Sequence, residues 1–117
     1  MTAESAVRLR IRTEECAEAI LLLPEGDVDT ESYDLFRRAL ADAMSAGRAQ
    51  VVVDLAQVRY IDSMGLGALV SGLRDAAELG CRLSIVSQNP HLRRVLHVTG
   101  LARLLPVYQL REEALEE

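Results

Sequence analysis

The sequence contains no lysine and no tryptophan, and its aromatic residues are three tyrosines and one phenylalanine. Because a P-loop ends in Gly-Lys followed by serine or threonine, the absence of lysine excludes that nucleotide site. Surfaces on which bases stack are scarce, and the core is expected to consist of leucine, valine, isoleucine and alanine. The net charge of −5 and the lack of a long basic run argue against direct binding to nucleic acid.

Cysteine is also rare, and long apolar runs are missing. Cys16 and Cys81 are the two cysteines and belong to no CxxC motif, so neither a disulfide framework nor a zinc site is indicated. The longest apolar runs, such as residues 19–23, are far below the roughly 20 residues that span a bilayer. No secretion signal is recognisable at the N-terminus. We expect a cytoplasmic location without membrane insertion.

The periodicity of the apolar residues predicts a hairpin at the start of the chain. Residues 7–11 alternate apolar side chains with arginine, which is typical of a strand with one buried face. Glu14 and Glu15 supply a polar turn, and residues 17–23 form the second strand. The segment 24–26, Pro-Glu-Gly, is expected to end this strand or to introduce a bulge.

The rest of the chain predicts alternating helices and strands. Asp29 or Thr30 is a candidate N-cap for the first helix, and Asn89 followed by proline is a strong start for the third. A single α/β domain over 1–117 follows, with a core at about 7–108 and a mixed, mostly parallel sheet of an N-terminal hairpin and β-α-β units packed with helices. The predicted elements after the hairpin are a helix within 30–47, a buried central strand over 50–55, a helix within 63–80, a strand over 82–87, a helix within 89–100, a strand over 104–108 and a short acidic helix over 110–117.

Ser63 lies where an apolar segment gives way to a helix, but the sequence around it does not fit the usual motifs of catalysis or nucleotide binding. A nucleophile elbow has glycine two positions before the serine, where this chain has Ile61. His91 and His97 are six positions apart on a predicted helix and point to different faces, so a general base is hard to supply. The dinucleotide motif GxGxxG fails at Val70. We expect no enzyme activity and no catalytic, cofactor-binding or metal-binding residue.

Two structural roles remain open for Ser63. A serine before a helical segment is a favoured N-cap, which contributes roughly 1 kcal/mol. Alternatively, Asp62 is the cap and Ser63 the first helical residue with a free hydroxyl, while Gly65 and Gly67 leave the first turn with little side-chain cover. The second arrangement would place an accessible hydroxyl at the start of a helix.

The segment from Val51 onwards reads VVVDLAQVRYIDSMGLGALVSGL and contains a D-S-x-G-L-G signature at Ser63. It is preceded by GDVDT and followed by CRLSIVSQNPHLRRVLHVTGLARLLPVY. Together these stretches resemble the STAS domain of bacterial anti-sigma factor antagonists, also called anti-anti-sigma factors. The resemblance covers roughly residues 7–108, and the order of elements agrees with the one derived from periodicity.

The resemblance implies a regulatory function. In that family the serine at the position of Ser63 is phosphorylated by a partner that is both anti-sigma factor and serine kinase, and a serine phosphatase of the protein phosphatase 2C type removes the phosphate. The unphosphorylated protein binds the anti-sigma factor and frees the sigma factor, whereas the phosphorylated form lets go. One departure is Met64, where the family often has a small residue. The implied partner-binding residues are Asp29, Asp62, Ser63, Met64, Gly65 and Leu66.

A second hypothesis is a stand-alone STAS subunit of a membrane lipid or anion transport complex. Such a subunit needs no acceptor serine, so the intact pair of Asp62 and Ser63 counts against it. The oligomeric state stays open, and a weak homodimer is one alternative.

Overall fold

The computed structural model describes residues 7–116, which form one mixed sheet of six strands with helices on both faces. The strand order is β1-β2-β3-β5-β6, and β4 pairs with β2. Only the β1–β2 pairing is antiparallel, so the predicted α/β class with a mostly parallel sheet is confirmed. The elements are β1 Leu9–Cys16, β2 Ala19–Val28, α1 Tyr33–Ser45, β3 Gln50–Asp54, β4 Gln57–Ile61, α2 Ser63–Leu79, β5 Arg82–Val86, α3 Pro90–Val98, a 3-10 helix Leu101–Arg103, β6 Val107–Tyr108 and α4 Arg111–Leu115.

The second strand is longer than predicted because it changes its parallel partner part-way. Leu22 is the last β2 residue paired with β3, and Glu25 is the first paired with β4. Pro24 lies between them, where a residue without an N–H group disrupts the sheet least. The prediction that β2 ends near Pro24 is therefore wrong. The register against β4 does shift between Gly26 and Asp27, but the residue left without a partner is Arg59, so the irregularity lies in β4 and not in β2 as the alternative of a bulge predicted.

Gly26 is required by the close approach of the chain at the start of β1. Its φ angle is +118°, and a Cβ atom would lie 2.0 Å from the carbonyl oxygen of Arg8. The same carbonyl accepts a hydrogen bond from the Asp27 N–H at 2.8 Å. Any side chain at position 26 would break this contact, so the glycine sets the direction in which β2 continues towards the site.

Several predicted boundaries differ from the structure. The N-terminal hairpin turns at Ala17, where φ is +53°, rather than at Glu14 and Glu15. The short β4 was not predicted at all, because its residues are half-buried or exposed and lack a clear apolar run. The last strand is confined to β6, because Leu104 and Leu105 donate their N–H groups to the Leu101 carbonyl in the turn that follows the 3-10 helix. The terminal helix ends at Leu115, and position 117 lies outside the described residues.

The two faces of the sheet are covered unequally. The larger core lies between the sheet and α1, α2 and α3, and Phe36, Leu69 and Leu96 are at its centre. The opposite face is covered by α4, whose Ala114 packs with apolar residues of β2, β3 and β5. All five residues of β3 are buried, which confirms the prediction of a central strand. No helix within residues 7–116 combines the length and apolarity needed to cross a membrane.

Two hydrogen bonds attach α4 to β3. The Gln50 side-chain amide donates to the Ala114 carbonyl at 2.6 Å. The Arg111 guanidinium donates to the buried Asp54 carboxylate, also at 2.6 Å. This hydrogen bond raises the pKa of Arg111 above its ordinary value. The acidic terminal helix is therefore packed on the sheet, although it has only five residues.

Candidate functional site

The candidate site lies where two adjacent parallel strands end. Val28 of β2 is aligned with Ile61 of β4, and the Asp62 N–H donates to the Val28 carbonyl at 3.0 Å. Asp29 and Asp62 are the next residues along each strand, and neighbouring strands lie about 4.8 Å apart. The structure therefore brings together the backbones of two predicted site residues that are far apart in the sequence.

Asp62 caps α2 and leaves the hydroxyl of Ser63 exposed. The backbone of Asp62 is extended, and its Oδ1 accepts the Gly65 N–H at 3.0 Å. Ser63 is the first residue of the helix, and its Oγ makes no hydrogen bond with any group of residues 7–116. The sequence left two roles open for Ser63. In the structure Asp62 is the N-cap, and the hydroxyl of Ser63 is not used for capping.

The two glycines of the signature have different environments. Gly65 is buried, and a Cβ atom there would lie 2.6 Å from Cγ1 of both Val28 and Ile61. Gly67 has no neighbouring atom within 4 Å of such a Cβ. Only Gly67 thus leaves the helix surface open, while Gly65 lets the first turn of α2 pack onto the strand ends. The sequence predicted Gly65 as a residue of the partner-binding surface, but in the structure it is buried beneath that surface.

Asp29 holds the turn between β2 and α1. Its Oδ1 accepts the backbone N–H groups of Glu31 at 3.0 Å and Ser32 at 3.1 Å. The buried Ser32 hydroxyl donates to the Asp27 carbonyl at 2.8 Å. Because this turn delays the helix to Tyr33, the N-cap residue of α1 is Ser32, and the prediction of Asp29 or Thr30 as its cap is wrong.

A cavity of about 280 Å³ lies between β4, the start of α2 and α3. Ser63 is at its rim, together with the exposed side chains of Tyr60 and His91. Met64 lies next to Ser63 on the outer surface. The exposed fraction of Met64 is 41%, and that of Tyr60 is 55%. Exposed apolar groups beside a concave apolar surface are typical of an interaction site. The apolar lining consists of Leu55, Val58, Ile61, Leu66, Leu92 and Val95.

Asn89 fixes the orientation of α3 at this cavity. Its Oδ1 accepts the N–H groups of His91 at 2.9 Å and Leu92 at 3.3 Å, which confirms the predicted cap. His91 therefore stands in the first turn of α3, on the cavity shared with Ser63. The sequence reasoning missed His91 as a site residue, because nothing local relates residues of α3 to β4.

The side chains around Ser63 lack the arrangement of a hydrolytic site. Ser63 and His91 share the cavity but form no hydrogen bond, and no carboxylate of the described residues hydrogen-bonds to His91. A serine activated as a nucleophile needs a base in contact and a third group that orients the base. In the described part of the chain, no three His, Cys, Asp or Glu side chains are grouped so that they could hold a metal ion.

Comparison with known proteins assigns the family. A family model described as "Mlab, STAS domain" matches residues 11–106. This chain is a member of the STAS domain family. A Thermotoga neapolitana protein named as an anti-sigma factor antagonist homologue is 32% identical to this STAS domain over 101 residues, which are 86% of this chain and 89% of that protein. The resemblance noted from the D-S-x-G-L-G signature is thereby confirmed.

Solved structures of STAS proteins have the same fold. An anti-sigma factor antagonist from Mycobacterium paratuberculosis has a TM-score of 0.84 at 22% identity, and the match covers 92% of each chain. The phosphorylated form of the Bacillus cell fate determinant SpoIIAA has a TM-score of 0.70 at 19% identity, covering 92% of this chain and 97% of that one. At these identities the two structures establish the fold of this STAS domain.

Proposed function

We propose that this STAS domain is an anti-sigma factor antagonist, and that phosphorylation of Ser63 switches its binding off. The observation that carries the proposal is the exposed Ser63 hydroxyl at the start of α2, released from capping by Asp62. The antagonist names of the relatives and the existence of a phosphorylated SpoIIAA support it. The unphosphorylated protein would act in the cytoplasm, where it binds the anti-sigma factor and frees the sigma factor.

The fold should tolerate a phosphate at this position. Phosphorylation adds a charge of about −1.5 to −2 at neutral pH. Ser63 is the first residue of a 17-residue helix, and the N-terminus of a helix is a favourable place for an anion. Since Ser63 is exposed and its hydroxyl takes part in no internal hydrogen bond, its modification breaks no hydrogen bond among residues 7–116. The switch would therefore act at the surface and leave the domain folded.

The same phosphate would weaken a bound partner. It would lie beside the carboxylate of Asp62 and near the strand end that carries Asp29. A partner that covers these groups must desolvate a cluster of like charges. A penalty of about 3 kcal/mol lowers affinity roughly a hundredfold, which is sufficient for a switch.

The proposed partner is an anti-sigma factor that is also a serine kinase, and a serine phosphatase of the protein phosphatase 2C type would reverse the modification. The surface for the kinase would include Asp29, Asp62, Met64 and the half-buried Leu66, with Gly65 supporting it from below. The adjacent apolar cavity extends this surface towards α3.

Two experiments test the proposal. The cognate kinase and ATP should add one phosphate, which mass mapping should place on Ser63; a Ser63→Ala variant that is still modified would refute the assignment. In affinity capture from the native host, the wild type and Ser63→Ala should retain the anti-sigma factor, and Ser63→Asp should lose most of it. Ser45→Ala is the matched control, because Ser45 is exposed at the far end of α1.

The alternative function gives a different result in the same capture. A STAS subunit of a membrane lipid or anion transport complex would co-purify with a membrane ATPase. Its binding would be the same for Ser63→Ala and Ser63→Asp, because a structural subunit needs no acceptor serine. That outcome would replace the proposed regulatory function.

A further inference from the structure

Ser63 and His91 both line the cavity between β4, the start of α2 and α3. Ser63 begins α2, and His91 is in the first turn of α3. Both line the same space of about 280 Å³. Charges that share one small cavity are screened less than charges separated by bulk solvent.

The charged groups around His91 come from three elements. On β4, the Arg59 guanidinium pairs with the Asp27 carboxylate at 3.3 Å. At the start of α2, Oδ1 of Asp62 accepts the Gly65 N–H. On α3 itself, the other charged or titratable side chains are Arg93, Arg94 and His97.

The cations of α3 other than His91 are less suited to meet a charge in the cavity. Arg93 donates to the Ser87 carbonyl at 3.2 Å, and neither Arg94 nor His97 lines the cavity. Arg59 lines it but is paired with Asp27. Within residues 7–116, His91 is the cavity-lining group that can carry a positive charge and has no side-chain partner.

We propose that a phosphate on Ser63 is held across the cavity by the His91 imidazolium. The inference rests on the proposed function only for the presence of a phosphate at this position. The imidazole has an ordinary pKa of about 6.5, and the second ionisation of a phosphate has a pKa of about 6. An imidazolium and a phosphate in one cavity each stabilise the charged form of the other.

The pair makes the phosphorylated state sensitive to pH. Where the imidazole is protonated, it neutralises part of the phosphate charge at the apolar cavity. Where the imidazole has lost its proton, the dianion is free to repel a partner together with Asp62. The phosphorylated protein thus presents two different surfaces on either side of the titration.

The test uses phosphoserine incorporated at position 63 during translation, so that it needs no kinase. Proton NMR titration follows both imidazoles, and phosphorus NMR follows the phosphate. The pKa of His91 should rise by about one unit on phosphorylation, because a negative charge in the same cavity favours the imidazolium. His97, on the same helix but away from the cavity, should not change and serves as the internal control.

Reciprocity supplies the second readout. The second pKa of the phosphate should be lower than in a free phosphoserine peptide, and His91→Gln should return it towards the peptide value by about one unit. Arg59→Gln should leave it lowered. The inference is overturned if His91 titrates at the same pH in both forms, or if Arg59→Gln rather than His91→Gln restores the phosphate.

These results are independent of the proposed function. A kinase that never modifies Ser63 would refute the switch even when the introduced phosphate pairs with His91. Conversely, a phosphate that does not sense His91 would leave the kinase assignment unaffected.

Discussion

Alanine substitutions at the two signature glycines should change stability in opposite directions. At position 65, the new Cβ would meet Val28 Cγ1 and Ile61 Cγ1 at 2.6 Å. Val28 is fully buried, and both side chains are β-branched, so neither rotates away easily. At position 67 the new methyl group would meet nothing within 4 Å. The two substitutions are chemically identical, so their difference isolates the packing at the strand ends.

The magnitudes follow from two opposing effects. Alanine in place of glycine inside a helix stabilises by about 0.5–1 kcal/mol. Overpacking a tight contact costs about 1–3 kcal/mol. Gly67→Ala should therefore gain about 0.5–1 kcal/mol, and Gly65→Ala should lose about 1–2 kcal/mol net. With a urea m-value of about 1.5 kcal/mol/M, the unfolding midpoint should rise by about 0.5 M and fall by about 1 M, respectively.

Urea unfolding followed by circular dichroism measures both midpoints. The control is that the m-values of the wild type and the two variants are equal, because the m-value reports the surface area exposed on unfolding. A Gly65→Ala midpoint equal to or above that of the wild type would refute the tight packing of α2 against β2 and β4. A Gly67→Ala midpoint below the wild type would refute the open surface at position 67.

Three further predictions concern the cap of α2, the second face of the sheet and the two cysteines. Asp62→Ala should lower the free energy of unfolding by about 1 kcal/mol, whereas Asp62→Asn, which keeps a capping oxygen, should lose much less in the same urea assay. Arg111→Gln should destabilise by about 1 kcal/mol, because the Asp54 carboxylate, which is 5% exposed, loses its cationic donor. Relative to the wild type, amide hydrogen exchange should become faster in α4 and change less in β3. Unchanged exchange in α4 would contradict the prediction. Burial raises the pKa of the Cys81 thiol, so iodoacetamide at pH 7.5 should modify exposed Cys16 first, with the difference disappearing in urea.

Local chemistry was sufficient to predict most elements and the helix start at Ser63. The β-branched run at β3 requires burial on both faces, and Asn89 before a proline specifies a helix start wherever α3 lies. The D-S-x-G-L-G signature was also enough to identify the family and to single out Ser63. Errors occurred where a contact with a distant segment overrides local preference, as at Pro24, which lies inside β2 because the strand changes partners there.

The site as a surface could not be predicted in the same way. β4 has no strong apolar pattern and exists because β2 offers it a free edge beyond β3. Its pairing with β2 sets Asp62 next to Asp29 and forms one side of the cavity that Ser63 and His91 both line. Register between strands and packing between helices depend on side chains far apart in the sequence, so periodicity does not encode them in a single segment.

The sequence by itself determined the family, the helix start at Ser63 and the presence of two candidate caps there, because these depend on neighbours within a few residues. Only the tertiary structure decided between Asp62 and Ser63 as the cap, and between Gly65 and Gly67 as the buried glycine. Both decisions follow from the way the first turn of α2 lies against Val28 and Ile61. With this contact Gly65 faces inward, the Asp62 carboxylate accepts the Gly65 N–H, and Ser63 is left exposed at the surface.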